Sequence, residues 1–417
     1  MSSTAPLDQR YMRAMAHIPL LSMASPRRAL VIGFGVGNTT HAVSLHPSIE
    51  RIEVADLSRH VLEQAPHFRG ANGGVLDDPR VSVFLNDGRQ HLQMADAASF
   101  DLITLEPPPI AQAGVASLYS REFYELARTR LAPGGYISQW LPAYQVPAEA
   151  SLAMVRAFLD VFPQSVLLSG MQAELILVGT TADRIRIAPD GLAGRLAAAP
   201  PLRADLERLD LGTPREIVGT FIGSAGTMAR ATAGVAPVTD NRPLQEYGVR
   251  STAGTVLNGV PAALFDLSEL GTWCDTCFGG EAGGVAESVA GLDLYLALLD
   301  RVYNSPPRSG PAPARQVLGS AYLGAVLPDV PEVAELLGSA HLRAGSAMLE
   351  AGLLQDAENE LREALRYLPA SAEAHNDLGV VLAAAGRIGD ARPYFAEAVR
   401  LQPDFAEARN NLERASR

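Results

Sequence analysis

Cysteine is scarce in this chain, with only Cys274 and Cys277 among 417 residues. Two cysteines fit a reducing compartment, and we predict a cytoplasmic location. The single Cys-x-x-Cys cannot complete a four-ligand zinc site on its own. A reduced thiol pair and a local disulfide stay open, whereas a thioredoxin-like role is disfavoured because no suitable βαβ pattern surrounds the pair.

Positive charge and long apolar runs are also lacking. The chain has 34 Lys and Arg residues against 46 Asp and Glu residues, a formal net charge of −12. Binding to nucleic acid needs a basic face, so we predict no nucleic-acid partner, while a cationic substrate is compatible with this charge. No uncharged apolar run is long enough to span a bilayer, and we expect neither a membrane span nor a secretory signal.

The most informative stretch is the apolar run at residues 29–32, which ends at Gly33, Gly35 and Gly37. The run is typical of a buried parallel strand, and the glycines let the backbone turn tightly and approach a ligand. The third glycine comes one residue earlier than the dinucleotide fingerprint requires. Its Gly-x-Gly-x-Gly form is usual in S-adenosylmethionine-dependent transferases. The alternative is a tight turn without a ligand.

Polar side chains follow the next strands of the pattern. Asp56 ends a predicted strand over residues 51–56, and Asp87 follows a strand over residues 81–85. A carboxylate at the first position can accept both hydroxyls of a ribose, and one at the second can hold an adenine amino group. The alternative for Asp56 is a solvated turn residue.

Two more strands complete the predicted sheet, with Glu106 just after the strand at residues 100–105 and Gln139 in the strand at residues 136–140. Strands alternate with helices, so we predict an α/β fold with a parallel sheet whose carboxyl edge binds the ligand. Asp101 begins the strand that Glu106 follows. Five residues at roughly 3.3 Å separate them by about 16 Å, so Asp101 is interpreted as structural.

A series of motifs in this order resembles the spermidine synthases, or polyamine aminopropyltransferases. The motifs are residues 11–20, the glycine loop, and residues 76–81, 86–89, 118–124 and 131–135. Residues 239–247 resemble a late motif of a bacterial branch that is often fused to a membrane transporter. The resemblance covers roughly residues 7–250.

The resemblance implies a Rossmann-like S-adenosylmethionine-dependent methyltransferase fold. It implies transfer of an aminopropyl group from decarboxylated S-adenosylmethionine to an amine such as putrescine, with release of methylthioadenosine. The donor is then a co-substrate, with no permanently bound cofactor, and the protein a homodimer like many relatives. The implied donor contacts are Gly33, Gly35, Gly37, Asp56, Asp87, Gly88 and Gln139, with Tyr11 and His17 lining the donor and amine pockets and Glu106 as the catalytic base.

Three departures from the family pattern qualify that reaction. Val36 stands where family members carry an aspartate near the amino group of the donor. Glu106 and Pro109 replace the two acids of the family's Asp-x-x-Asp-Pro motif, and only about ten residues precede Tyr11, where most synthases have a β-hairpin domain. Two alternatives follow, namely a methyltransferase that uses intact S-adenosylmethionine and a non-catalytic nucleoside-binding scaffold.

The histidines offer no metal site. His41 and His46 are predicted on the surface of the first helix or just after it. His60, His67 and His91 lack metal-ligand spacing with acids or cysteines. We therefore predict that the chain binds no metal.

The C-terminal residues repeat with a period of 34. Gly345, Leu361 and Pro369 recur as Gly379, Phe395 and Pro403. This period resembles tetratricopeptide repeats, which imply a peptide or protein partner, with a helical stabiliser of the enzyme domain as the alternative. We predict a synthase-like domain at residues 1–250, a linker with atypical helices at 251–337, and the repeats at 338–417.

Overall fold

The computed structural model describes residues 9–108, 114–143, 145–171, 174–187, 192–209, 211–212, 217, 220–248, 261–264 and 331–416. The chain divides into two compact units, residues 1–297 and 298–417, and each is described by itself. Pro109, Cys274 and Cys277 lie outside the described residues, as does most of the predicted linker. The boundaries predicted at residues 250 and 337 stay predictions.

The first unit is built on one eight-stranded sheet, with strand order β3-β2-β1-β4-β5-β7-β6-β8. The first five strands pair in parallel, and the last three pair antiparallel. The strands are β1 (Arg28–Ile32), β2 (Arg51–Asp56), β3 (Val81–Leu85), β4 (Phe100–Leu105), β5 (Leu131–Leu141), β6 (Ser165–Met171), β7 (Glu174–Thr180) and β8 (Phe221–Ser224).

Helices connect the parallel strands, as a right-handed crossover topology requires. They are α1 (Gln9–Ser22), α2 (Asn38–Ser44), α3 (Arg59–Gln64), α4 (Arg69–Asn72), α5 (Gly88–Met94), α6 (Arg121–Arg130), α7 (Ala148–Val161), α8 (Leu192–Ala198), α9 (Pro200–Arg208), α10 (Ala225–Ala231) and α11 (Leu244–Gly248). Several begin at a side chain that accepts a backbone N–H, such as Asp87 before α5 and Ser120 before α6. These caps fix the residue at which each helix begins after its strand.

This architecture confirms the predicted Rossmann-like α/β fold, and the predicted bounds of β2, β3 and β4 are those observed. The sheet is not parallel throughout, however, because β7 inserts beside β5 in the opposite direction. The turn predicted at residues 133–135 lies inside β5 as an irregularity, where the register against β4 shifts between Phe100 and Leu102. Gly134 has a φ of +76° there, which glycine adopts without strain.

The second unit is helical. Its described helices are α12 (Pro331–Glu350), α13 (Leu354–Tyr367), α14 (Ala372–Ala384), α15 (Ile388–Leu401) and α16 (Ala406–Arg414). The first helix of each pair meets the second at a glycine, since a Cβ on Gly345 would lie 2.6 Å from Leu361 and one on Gly379 would lie 2.5 Å from Phe395. The equivalent contacts confirm the predicted 34-residue repeat. Of the helices described in either unit, none combines the length and the apolar character that crossing a bilayer requires.

Candidate functional site

A cavity of about 400 Å³ opens at the carboxyl ends of the parallel strands. It lies beside β1, where the strand order reverses and where ligands bind in sheets of this kind. Its volume is in the range of small-molecule sites. The lining residues are Ile32, Gly33, Gly35, Ala55, Asp56, Leu57, Ser58, Val61, Asn86, Asp87, Gly88, Glu106, Pro107, Pro108, Leu118 and Trp140.

The glycine loop forms one wall of the cavity. Gly33 has a φ of +87°, and a Cβ there would lie 2.7 Å from the carbonyl oxygen of Glu106, so only glycine fits. Gly35 also lines the cavity. Gly37 does not, since it packs against Phe34 and Asn72 at the start of α2. Two of the three predicted loop glycines therefore face the ligand space.

Asp56 fixes the loop from the end of β2. Its Oδ2 accepts the N–H of Phe34 at 2.7 Å, and its Oδ1 accepts the N–H of Ser58 at the same distance. Each carboxylate oxygen has a further lone pair, so both can also accept a ligand hydroxyl. Asp87 also lines the cavity, and its Oδ1 accepts the N–H of Gln90 at 2.9 Å.

Glu106 stands at the end of β4 and is partly exposed, lining the cavity. Its Oε1 accepts a hydrogen bond of 2.6 Å from the hydroxyl of Tyr11 on α1. Burial raises the pKa of Glu106 to about 7, the hydrogen bond from Tyr11 opposes the rise, and the charge of Glu174 adds to it. A carboxyl with that pKa can take and release a proton near neutral pH.

Gln139 does not line the cavity, although its neighbour Trp140 does. Gln139 pairs with Leu105 within the sheet, is fully buried, and donates from Nε2 to the carbonyl of Leu118 at 3.1 Å. It therefore supports the wall residue Leu118. Trp140 stacks with Tyr11 at 6.0 Å between ring centroids, which makes an aromatic wall beside Glu106.

His17 is likewise not brought to the cavity. Its fully buried ring contacts the Nε2 of His46 at 2.9 Å through Nδ1 and the Oδ2 of Asp205 at 3.0 Å through Nε2. Asp205 also pairs with the buried Arg13 at 2.7 Å and with Arg208 at 2.9 Å. These five residues, which we call the buried network, join α1 to α9.

The surface location predicted for His46 is wrong, because its side chain is only 4% exposed. The prediction treated its position after the first helix as solvated, but the ring lies against His17. Asp101 has the structural role predicted for it. Its Oδ2 accepts the N–H groups of Arg27 and Arg28, both at 2.8 Å.

The late motif at residues 239–247 braces the site from outside. Asp240 forms a two-pronged ion pair with Arg89, each bond 2.6 Å, just after the Asp87-Gly88 pair. Glu246 accepts the N–H of Gly114 at 2.6 Å, and Gln245 donates to the carbonyl of Ala116 at 3.3 Å. These contacts hold the segment that leads to the cavity residue Leu118.

Several cavity residues were not predicted as site residues, among them Ser58, Asn86, Leu118 and Trp140. Asn86 directly follows β3 and Ser58 is the second residue after β2, so their closeness to a strand end is the signal that could have found them. Trp140 could have been found from the pattern of its strand, because consecutive residues of a strand face opposite sides of the sheet and Trp140 directly follows Gln139. Within the described residues, no group of three acidic, histidine or cysteine side chains could hold a metal ion.

The fold and the cavity together define an α/β domain of the Rossmann-like class, with a ligand site at the strand-order reversal and acids at the ends of β2, β3 and β4. Residues 8–166 match the family described as "Spermine/spermidine synthase domain", and residues 342–404 match "Tetratricopeptide repeat". Residues 8–166 are thus similar to spermidine synthase domains, and a region similar to tetratricopeptide repeats follows them.

Individual proteins are similar to this chain over part of its length. The "Polyamine aminopropyltransferase" of Nitrosomonas europaea is 31% identical over 198 residues, which are 45% of this chain and 59% of that protein. "Putrescine N-methyltransferase 1" of Nicotiana tabacum is 32% identical over 128 residues, 30% of this chain and 34% of that protein. The crystal structure of spermidine synthase from Thermotoga maritima is 22% identical, with a TM-score of 0.36 over 42% of this chain and 60% of that one. In each case the chain spans less than two thirds of the protein that it matches.

Proposed function

We propose that the first unit is a transferase that moves an aminopropyl group from decarboxylated S-adenosylmethionine to an amine. The observation that carries the proposal is the position of Glu106, a carboxyl with a pKa of about 7, in a cavity whose other side holds Asp56 and Asp87. One part of the cavity offers acceptors for a nucleoside, and the other offers a base.

The nucleoside part of the proposal rests on Asp56 and Asp87. Asp56 accepts two backbone N–H bonds, which hold its oxygens still without using all their lone pairs. The ribose of the donor would bind to these oxygens, and its adenine amino group would bind near Asp87 and Gly88. Gly33 and Gly35 leave room for the backbone to approach the donor closely.

The transfer part rests on Glu106. An alkylamine has a pKa near 10 and arrives protonated, so it must lose a proton before it can attack. In the proposed step, the proton passes to Glu106 and the nitrogen lone pair forms a bond to the carbon next to the sulfonium. The bond from that carbon to sulfur breaks, and its electrons neutralise the sulfur as methylthioadenosine leaves. Tyr11, bonded to Glu106 at 2.6 Å, orients the carboxylate.

A methyltransferase is the second candidate. Val36 places no carboxylate in the glycine loop to hold the amino group of a decarboxylated donor. One relative that matches this chain is described as a putrescine N-methyltransferase. The same base would serve either transfer, because in both an amine attacks a carbon bonded to the sulfonium.

Mass spectrometry of the products, after incubation with each donor and a panel of amines, separates the candidates. We expect an aminopropyl adduct with the decarboxylated donor and tighter calorimetric binding of that donor. A methylated amine from the intact donor would favour the second candidate. Absence of saturable methylthioadenosine binding would leave only a non-catalytic scaffold.

Glu106→Gln tests the base, since glutamine keeps an acceptor for Tyr11 but cannot take the proton. We expect kcat to fall by about 10² to 10⁴, with methylthioadenosine affinity retained. Glu125→Gln is the matched control, because Glu125 is exposed on α6 and pairs only loosely with Arg121 at 3.7 Å. An unchanged rate in Glu106→Gln would show that another group takes the proton.

For the second unit the proposal is limited to binding of a protein or peptide partner, which stacked repeats of this type favour. The homodimer, the cytoplasmic location and the relation to transporter-fused proteins stay predictions.

A further inference from the structure

Glu174, the first residue of β7, lies outside every motif that the sequence analysis used. Its Oε2 accepts a hydrogen bond of 2.5 Å from the indole Nε1 of Trp140. Trp140 lines the cavity, and Glu174 is partly exposed. A second carboxylate is therefore bonded directly to a residue of the cavity wall.

An aromatic pair connects this carboxylate to Glu106. The Trp140 ring stacks with Tyr11, at 6.0 Å and an interplanar angle of 29°, and the Tyr11 hydroxyl donates to Glu106. Glu174 and Glu106 are thus bonded to the two members of one stacked pair. The two carboxylates are close enough for the charge of Glu174 to contribute to the raised pKa of Glu106.

Among the described residues that line the cavity, the acids are Asp56, Asp87 and Glu106. The first two follow β2 and β3, at the part of the cavity assigned above to the nucleoside. Pro107 and Pro108, which follow Glu106, have no side-chain acceptor. Glu174 is not itself among the lining residues, but it is bonded to Trp140, which is. A substrate with a second positive charge beside the stacked Tyr11–Trp140 pair would therefore meet this carboxylate.

We infer that Glu174 determines specificity for a diamine acceptor by binding its distal ammonium while the reacting nitrogen lies at Glu106. This inference rests on the proposed transfer function. The methylene chain of a diamine would pack on the indole of Trp140, whose face also attracts a cation. A carboxylate has about four acceptor positions and can accept from several donors at once, so Glu174 can bind an ammonium while it accepts from Trp140.

Glu174→Gln is the decisive variant, because the amide still accepts from Trp140 but carries no charge. The assay compares kcat/KM for 1,4-diaminobutane with kcat/KM for butylamine, which lacks the distal ammonium. We expect the preference for the diamine to fall by about tenfold or more, mainly through KM. Glu174→Asp, which restores the charge, should recover part of the preference, and Glu125→Gln should leave it as in the unchanged protein.

An equal effect of Glu174→Gln on both amines would overturn the inference. If the unchanged protein binds methylthioadenosine but transfers nothing to either amine, the proposed function fails, and binding then tests Glu174 directly. In a Trp273→Phe background, Trp140 is the remaining tryptophan, and its fluorescence reports on the aromatic wall. We expect 1,4-diaminobutane, added with methylthioadenosine, to change that fluorescence at lower concentration than in the same background with Glu174→Gln. Identical titrations would overturn the inference as well.

Discussion

At the scale of single residues, Glu106 shows how the surroundings of a carboxyl group can suit it to proton transfer. Burial favours its neutral form and raises its pKa to about 7, and the hydrogen bond from Tyr11 opposes that rise. Its folded pKa exceeds the ordinary value of 4.5, so ionisation of Glu106 costs folding free energy increasingly from about pH 4.5 to about pH 7. Such a cost is common at functional sites.

Tyr11→Phe tests this balance. Loss of the hydrogen bond removes the interaction that lowers the pKa, so we expect the rising limb of kcat against pH to move to higher pH. Protonation of the free amine affects both proteins equally, so the difference between their profiles reports on Glu106. Tyr136→Phe is the control, since its hydroxyl bonds to the carbonyl of Arg186 away from the cavity. A shift to lower pH, or an equal shift in the control, would contradict this account.

At the scale of elements, the buried network fixes α1 against α9 through defined protonation states. The Asp205 carboxylate only accepts, so the Nε2 of His17 carries the proton that it donates, and Nδ1 of His17 accepts from His46. Burial lowers the pKa values of both histidines. Burial alone would raise the pKa of Asp205, but its bonds to His17 and Arg13 outweigh this and hold it well below the usual range.

Asp205→Asn should destabilise the first unit by about 3 to 5 kcal/mol, because it leaves the buried Arg13 without its counter-charge. Arg208→Ala removes a partner that is 38% exposed and should cost far less. Urea unfolding of both variants measures the difference. Equal losses would mean that the Arg13 charge is compensated elsewhere.

The same network predicts how acid acts. In the unfolded chain, His17 and His46 gain protons below about pH 6.5, whereas in the folded protein their lowered pKa values oppose protonation. Asp205 likewise gains a proton below about pH 3.8 in the unfolded chain, but only at lower pH in the folded protein. The stability of the first unit therefore falls as the pH is lowered through both ranges. Asp205→Asn should flatten the plot of stability against pH in the lower of the two ranges.

Elements with a clear hydrophobic pattern were predictable from the sequence, as the bounds of β2, β3 and β4 illustrate. Asp56 at the end of β2 and Glu106 just after β4 both line the cavity, as expected because parallel strands end at one edge. The position of His17 was not predictable, because it depends on Asp205, 188 residues away along the chain. The role of Glu174 was not predictable from the sequence either, because the antiparallel pairing of β7 with β5 brings it to Trp140.

At the scale of the whole molecule, the chain divides into two compact units. The described core of the second unit includes Leu361, Leu378 and Phe395. This core depends on close helix contacts at Gly345 and Gly379. The contacts recur because the two helices of each repeat pack in the same way. A substitution in this core should therefore lower the stability of the second unit first.

Gly379→Ala tests this packing. The added Cβ would lie 2.5 Å from the buried ring of Phe395, and such overpacking should cost about 1 to 3 kcal/mol, more than the gain in helix propensity. Gly389→Ala is the matched control, because nothing lies within 4 Å of its added Cβ, and it should be neutral or slightly stabilising. Calorimetric melting of both variants, with methylthioadenosine affinity measured in parallel, should show a lower repeat transition only in Gly379→Ala, with the affinity unchanged in both. A melting curve for Gly379→Ala like that of the control would contradict the close helix contact, and a weakened affinity would show that the substitution acts beyond the second unit.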